Sequence, residues 1–251
     1  EYSQRSHKNC KRIRPCCLMN EIQYRMMPLP SLFLMETTVP DHMVTNINDY
    51  LDELMHQNDR ISAAHTLVGQ IGNGEQLVMD HEDGRLAEFS QFLCSMGAEY
   101  ISAFMANTGQ QLDGNRNVEM DELWSVHSYA GDYNPIHDHG TKTIMGVSCT
   151  TWTKVPEQIL AQPAAGSESY NLYNASGASD GYLCFNYGQS ATWDKERLKP
   201  TQNVVMKPEV GKLLFFPSWL QHMVYPFQGE GERRTVAANL NCWPVQNEQP
   251  H

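Results

Sequence analysis

Two imidazoles stand two residues apart in Asn134-Pro135-Ile136-His137-Asp138-His139-Gly140, a segment that reads as a β-strand. Alternate side chains of a strand share a face, so His137 and His139 point one way and Asp138 the other. Two rings so placed can grip one metal ion; on this segment alone they read equally well as polar residues at a strand end. A third imidazole, His222, follows Gly211-Lys212-Leu213-Leu214-Phe215-Phe216-Pro217-Ser218-Trp219-Leu220-Gln221, an apolar strand that runs into a proline turn. Eleven residues later, Arg233 shares one strand face with Thr235, Ala237 and Asn239 by the period of two. A cation and a hydroxyl would then look into the same cavity. A buried guanidinium is costly unless an anion meets it, and a carboxylate held bidentately would supply that.

These groups need a scaffold of strands. After Gly114 the chain turns into short segments rich in Trp, Val, Tyr, Thr and Phe, separated by Gly, Pro, Asn and Asp. Strands are predicted at about 121–130, 134–139, 143–153, 181–187, 203–207, 212–216, 222–227 and 233–242, the number expected of a jelly roll built as two facing sheets. Upstream, Pro28, Pro30 and Pro40 block helix over 21–39, and 31–35 offers a short apolar strand. A helix is predicted over 41–56, with Asp41 as N-cap and Met43, Ile47, Tyr50, Leu51 and Leu54 on one face. A second covers about 84–109, with Leu86, Phe89, Phe92, Leu93, Met96, Tyr100, Ile101 and Phe104 inward; at helical spacing such residues form core. Gly72-Asn73-Gly74 marks a turn-rich connection between the helices. The stretch 157–180, rich in Ala, Ser, Gly and Asn, reads as a long loop or lid.

The 251 residues, 41% apolar and 10% aromatic, suffice for a real core. Eighteen Lys+Arg against 29 Asp+Glu give a net charge of −11, which argues against nucleic acid as a general partner. The acidity is concentrated: residues 41–138 hold three basic and 17 acidic residues, while 139–251 balance nine against nine. The acidic half would either meet a basic partner or keep the protein soluble. The longest nearly apolar stretch, 213–220, falls well short of the roughly 20 residues that cross a bilayer, so no membrane role is expected. Seven cysteines, an odd and scattered set, fit a reducing compartment and a cytoplasmic location. Cys10, Cys16 and Cys17 with His7 lack the paired spacing of a zinc site. Residues 1–18 are basic without an apolar centre and read as a disordered or non-native leader ahead of Met19. The expected organisation is then one domain over 19–251, with a helical part over 19–118, a β core over 119–243 and a tail over 244–251.

On these motifs, residues 121–242 resemble the Fe(II)- and 2-oxoglutarate-dependent oxygenase superfamily, which carries His-x-Asp/Glu, a distant His and a downstream Arg-x-Ser/Thr. The chain is most similar to a bacterial and phage-type group with Asn-Pro-x-His-x-His-x-Gly, Gly-x-Leu-x-Phe-Pro-Ser-Trp-Leu-x-His and Arg-x-Ser/Thr. The resemblance implies a mainly β fold with α additions: a double-stranded β-helix (jelly roll, cupin-like) with N-terminal helices packed on one sheet. It implies that His137 and His222 bind iron, that Arg233 pairs with the far carboxylate of 2-oxoglutarate and that Thr235 hydrogen-bonds the same group. Tyr129, on the strand leading to the metal motif, matches a cosubstrate-binding tyrosine of prolyl-hydroxylase-like members, and equally a core tyrosine.

One departure matters: the carboxylate two positions after the first histidine is replaced here by His139, and Asp138 is off by one. By alternation Asp138 reaches the metal only if a β-bulge re-aims it. The expected ligands are therefore His137, His139 and His222, with Asp138 as the partner of a ligand or a substitute. Three neutral imidazoles leave the metal its full +2 charge.

The implied activity is hydroxylation of an unactivated C–H bond of a protein side chain or small molecule, with release of succinate and CO2. Two alternatives stand beside it. One is a three-His cupin-like dioxygenase that does not use 2-oxoglutarate; the other is a non-catalytic jelly-roll binding module. Tyr133, Trp219 and Tyr225 either line the mouth of the site or pack. A lone His127 in a central strand reads as structural, and Arg234, opposite in direction to Arg233, as a surface residue. The oligomeric state stays open, with a homodimer among the options.

Overall fold

In a computed structural model of the chain, the residues that can be described are 32–109, 116–143, 145–161, 179–187 and 203–244. In chain order they form β1 (Met35–Thr38), α1 (Asp41–Leu54), β2 (Glu75–Val78), α2 (Ala87–Thr108), β3 (Arg116–Ser128), β4 (Asn134–His137), β5 (Val147–Lys154), α3 (Glu157–Leu160), β6 (Leu183–Asn186), β7 (Asn203–Met206), β8 (Lys212–Pro217), β9 (His222–Val224) and β10 (Arg233–Pro244). The leader, the Cys10–Cys16–Cys17 group, most of the expected 157–180 lid and the tail lie outside the described residues. The described residues all belong to one compact unit, Ser31–His251. Among them no helix is long and apolar enough to cross a membrane.

The strands make two antiparallel sheets, one of six in the order β1-β8-β5-β10-β3-β2 and one of four in the order β4-β9-β6-β7. Side-chain alternation divides the large sheet into two unlike faces. Leu77, Leu123, Cys149, Leu213, Phe215, Val236, Ala238 and Leu240 point outward and are buried under α1 (Met43, Ile47, Leu51) and α2 (Phe89, Leu93, Tyr100, Ile101). Trp152, Leu214 and Phe216 point the other way and meet Leu183 and Phe185 of the small sheet. This is a mainly β fold with helices packed on one sheet, a double-stranded β-helix. Gly97 of α2 faces Leu240 so closely that an added Cβ would come within 2.5 Å of its Cδ1, so the helix is seated low on β10.

Departures from the predicted elements have local causes. The strand expected at 31–35 is found at Met35–Thr38, where it pairs with Lys212–Phe215 of β8. β2, with only Leu77 and Val78 apolar, carries no alternation of its own and exists because its main chain pairs with Trp124–His127 of β3. The strand expected over 222–227 stops at Val224, two residues before Pro226, which has no N–H for a ladder.

Arg234 corrects a prediction. It does face away from Arg233, but that face of the sheet is roofed by α1, so the residue is 2% exposed rather than on the surface. It is fully paired there: Nε to Glu232 at 2.7 Å, Nη2 to Asp52 at 2.6 Å and Nη1 to Asn48 Oδ1 at 3.2 Å. His127, also buried, is held between Glu232 (2.6 Å) and Ser125 (3.0 Å), the structural role expected of it. Burial alone would raise the Glu232 carboxyl, but hydrogen bonds from His127 and Arg234 outweigh it and hold it at about 2. A carboxyl lower in the folded than in the unfolded chain adds stability above its unfolded pKa, near 4.5, and loses that stability as the pH falls towards 2. The contribution is on the order of 3 kcal/mol at neutral pH. Glu232→Gln is expected to lower stability by about that much at pH 7 and to flatten the loss between pH 4.5 and 2; urea unfolding across that range would show it, and parallel curves would refute it.

Candidate metal centre

β4 and β9 lie side by side in the small sheet, and their register puts His137 directly opposite His222. Between Asn134, which pairs with Val224, and His137 the ladder takes three steps on β4 against two on β9, a bulge. The extra residue turns both Asn134 and His137 inward, which plain alternation would forbid. β4 ends at His137, so His139 is not placed by the strand at all. Its backbone N–H donates to Ser218 O at 2.8 Å, and its ring crosses to the large sheet, against Trp124 (centroids 5.4 Å) and Phe216 (6.3 Å). The turn after β8 thus serves two histidines: Ser218 O fixes His139, and Leu220 O accepts from His222 Nδ1 at 2.9 Å. Gly146 packs under this turn, receiving Ser218 N–H on its carbonyl; a side chain there would collide with Thr141.

The three rings converge. Centroids are 4.3 Å apart for His137–His222, 4.9 Å for His139–His222 and 5.3 Å for His137–His139, and one nitrogen of each lies within 4.8 Å of the others. Asp138 is exposed and does not join them. His137 Nδ1 donates to Pro135 O at 2.7 Å, as His222 Nδ1 does to Leu220 O, so in both rings the proton sits on Nδ1 and the lone pair on Nε2. Burial lowers the pKa of His137; burial and then the neighbouring His137 bring His139 to about 4, and burial with both neighbours brings His222 to about 3. At neutral pH the cluster is three uncharged imidazoles, a donor set suited to a divalent transition metal.

Opposite them, on β10, Arg233 is 1% exposed. Its Nη1 donates to Gly181 O at 2.9 Å and its Nη2 to Ser128 Oγ at 3.2 Å, while Nε has no partner among the described residues. Thr235 Oγ1, one step along the same face, is buried and likewise without a partner among the described residues. Among the described residues no carboxylate bonds to Arg233; burial, opposed only in part by the charge of the buried Asp132, pulls its pKa down to about 10. Arg233, Thr235 and the three histidines line one cavity with Trp124, Asn134 and Phe216. An orphaned guanidinium N–H and an orphaned hydroxyl facing a metal-ligating cluster fit a small carboxylate bound beside a metal.

The other sequence candidates lie elsewhere. Tyr129 follows β3 on the outer side, near Glu232, Arg234 and Glu75, and its hydroxyl pKa is raised by burial and by those carboxylates. Tyr133 is 38% exposed and bridges to Gln70. Trp219 is 56% exposed and borders an apolar groove with Tyr100 and Phe104. Tyr225 packs with Tyr182 and Phe227. Trp124, Asn134 and Ser148 were not singled out in the sequence: Asn134 is inward only because of the bulge, and Trp124 could have been found by carrying the Arg233–Thr235 face across to its β3 neighbour. A larger cleft of about 750 Å³, lined by Arg60, Asp80, Asp121 and Glu122 among others, lies beyond Trp124 and shares it with the metal cavity.

Fold and site together define a double-stranded β-helix protein with a single three-histidine centre among its described residues. Residues 122–239, just under half of the chain, match the family model described as "Putative 2OG-Fe(II) oxygenase", so over that span the chain is similar to enzymes that use Fe(II) and 2-oxoglutarate. Among solved structures, the chain is similar to the non-heme α-ketoglutarate-dependent carbocyclase SnoK from nogalamycin biosynthesis (TM-score 0.51, 10% identity, covering 82% of this chain and 78% of that one). It is also similar to AviO1 from Streptomyces viridochromogenes Tue57 (0.50, 11%, 86% and 92%) and to a prolyl-4-hydroxylase of Pseudomonas putida (0.48, 13%, 82% and 91%). At these identities the likeness is one of fold. No curated protein matches the chain.

Alanine at His139 or His222 is expected to weaken Co(II) binding by more than the roughly 100-fold that the loss of an outer hydrogen-bond partner can cost. Asp138→Ala should leave it unchanged. Calorimetric titration separates these outcomes, and the reverse pattern would return the third ligand to a carboxylate.

Proposed function

We propose that the protein is an Fe(II)- and 2-oxoglutarate-dependent hydroxylase that acts on an unactivated C–H bond of a protein side chain or small molecule and releases succinate and CO2. His137, His139 and His222 hold the metal, and Arg233 with Thr235 takes the far carboxylate of the cosubstrate. The observation that carries this reading is Arg233 itself: a fully buried cation, unpaired by any carboxylate among the described residues, on the wall facing three neutral imidazoles. A bound iron, with dioxygen and 2-oxoglutarate, supplies the oxidant. The chain's own part is to place the groups and to exclude water. Three ligands on one side leave the other side open. Trp124, Phe185 and Phe216 close the site with apolar surface. The cavity these residues line is small, about 50 Å³. The larger cleft beyond Trp124 supplies room for the body of a substrate.

The exposure of Asp138 favours a second reading. With no carboxylate among the candidate ligands, the centre has the charge of a cupin-type thiol dioxygenase that needs no 2-oxoglutarate. Arg233 calls for a carboxylate-bearing molecule in either case, so the formation of succinate separates the two. Iron-loaded protein given oxygen and 2-oxoglutarate is expected to form succinate slowly even without its substrate. Arg233→Met, which removes a buried unpaired charge, should leave the fold and metal binding intact. It should also raise the 2-oxoglutarate concentration needed for half-maximal turnover about 100-fold. Absence of succinate, or the same 2-oxoglutarate dependence in both proteins, would contradict the proposal.

A further inference from the structure

His137 and His222 take their tautomer from main-chain carbonyls; His139 does not. Its Nδ1 lies 3.0 Å from Asn239 Oδ1 and 3.0 Å from Ser148 Oγ, and Ser148 gives its own hydroxyl proton to the same Asn239 oxygen at 2.7 Å. A carboxamide has an accepting end and a donating end, so the end that faces His139 is decided by what the other end meets. It meets Glu122, the register neighbour of Asn239 on β3: Asn239 Nδ2 donates to Glu122 Oε2 at 3.1 Å. An ionised carboxylate only accepts. It therefore captures the amide NH2, turns Oδ1 towards His139 and requires His139 Nδ1 to carry the proton, which leaves the Nε2 lone pair for a metal.

We propose that Glu122 is the positioning residue of His139, acting through Asn239: its carboxylate selects the tautomer and aim of the ring without touching it. The inference rests on the reading of His139 as a ligand. It also gives a reason for the pair of residues. A carboxylate at position 139, as the sequence resemblance would have it, needs no tautomer to be chosen, whereas an imidazole there does, and no main-chain carbonyl bonds its ring among the described contacts. Glu122 is exposed on the wall of the larger cleft, so it can be altered without disturbing the core.

The test is a polarity swap. In Glu122→Gln the side chain keeps its shape but can donate as well as accept, so Asn239 is free to turn its NH2 towards His139. Co(II) affinity, measured by competition with a chelator, is expected to fall about tenfold or more, and the visible d–d spectrum of the bound Co(II) to change, with the urea midpoint of the metal-free protein unmoved. Adding Asn239→Asp to that variant restores a pure acceptor beside His139, with the introduced carboxamide at 122 donating to its other oxygen. The double variant is expected to recover most of the lost affinity and the wild-type spectrum. Wild-type affinity and spectrum in Glu122→Gln, or a double variant no better than the single, would overturn the relay. His139→Ala distinguishes the two levels: full Co(II) affinity in that variant refutes the ligand reading itself, whereas its loss together with a neutral Glu122→Gln refutes the relay alone.

Discussion

A buried arginine, Arg233, that no carboxylate pairs among the described residues is the constraint around which this molecule is arranged. Taking a guanidinium out of water costs several kcal/mol, and two hydrogen bonds to neutral oxygens, Gly181 O and Ser128 Oγ, offset only part of that. The neighbouring residue supplies the control. Arg234 is as deeply buried, 2% against 1%, yet it meets Glu232 and Asp52. Two consecutive arginines on opposite faces of one strand are thus equally buried but differently met, and the one that no carboxylate pairs among the described residues looks towards three histidines. The layers explain how the charge is kept dry. α1 and α2 seal the outer face of the large sheet, and the small sheet covers the inner one.

The chemistry-bearing motifs were legible because they are short and local, whereas their geometry was not. Strand alternation pairs His137 with His139 and turns Asp138 outward, and the rings do converge. The route differs, since a bulge aims His137 and a hydrogen bond to the turn after β8 aims His139 beyond the end of its strand. Pairings across a sheet leave no trace in a single strand's pattern. For that reason no pattern within the chain marks β2, the inward Trp124 or the link from Glu122 to Asn239. The two long helices, Asp41–Leu54 and Ala87–Thr108, follow their apolar periodicity closely. Arg234 shows the limit of alternation: it says which way a side chain points, not whether a helix waits there.

The acidity of the N-terminal half takes a more specific meaning from the structure. Several of its carboxylates hold the few cations within reach: Glu75 pairs with Arg60, Glu53 and Asp83 with Arg85, and Asp52 with Arg234 from the far end of the chain. Glu122 is a different case, because its partner is an amide that leads to His139. Charge in this half thus ties the helical additions to the barrel and, at one position, reaches the candidate metal centre.

The most direct measurement is an anaerobic titration of the Fe(II)-loaded protein with 2-oxoglutarate, followed in the visible spectrum. A metal at the three histidines and a dicarboxylate anchored on Arg233 predict a charge-transfer band that saturates at one equivalent. Tight iron binding with no band at any concentration of 2-oxoglutarate would contradict the account.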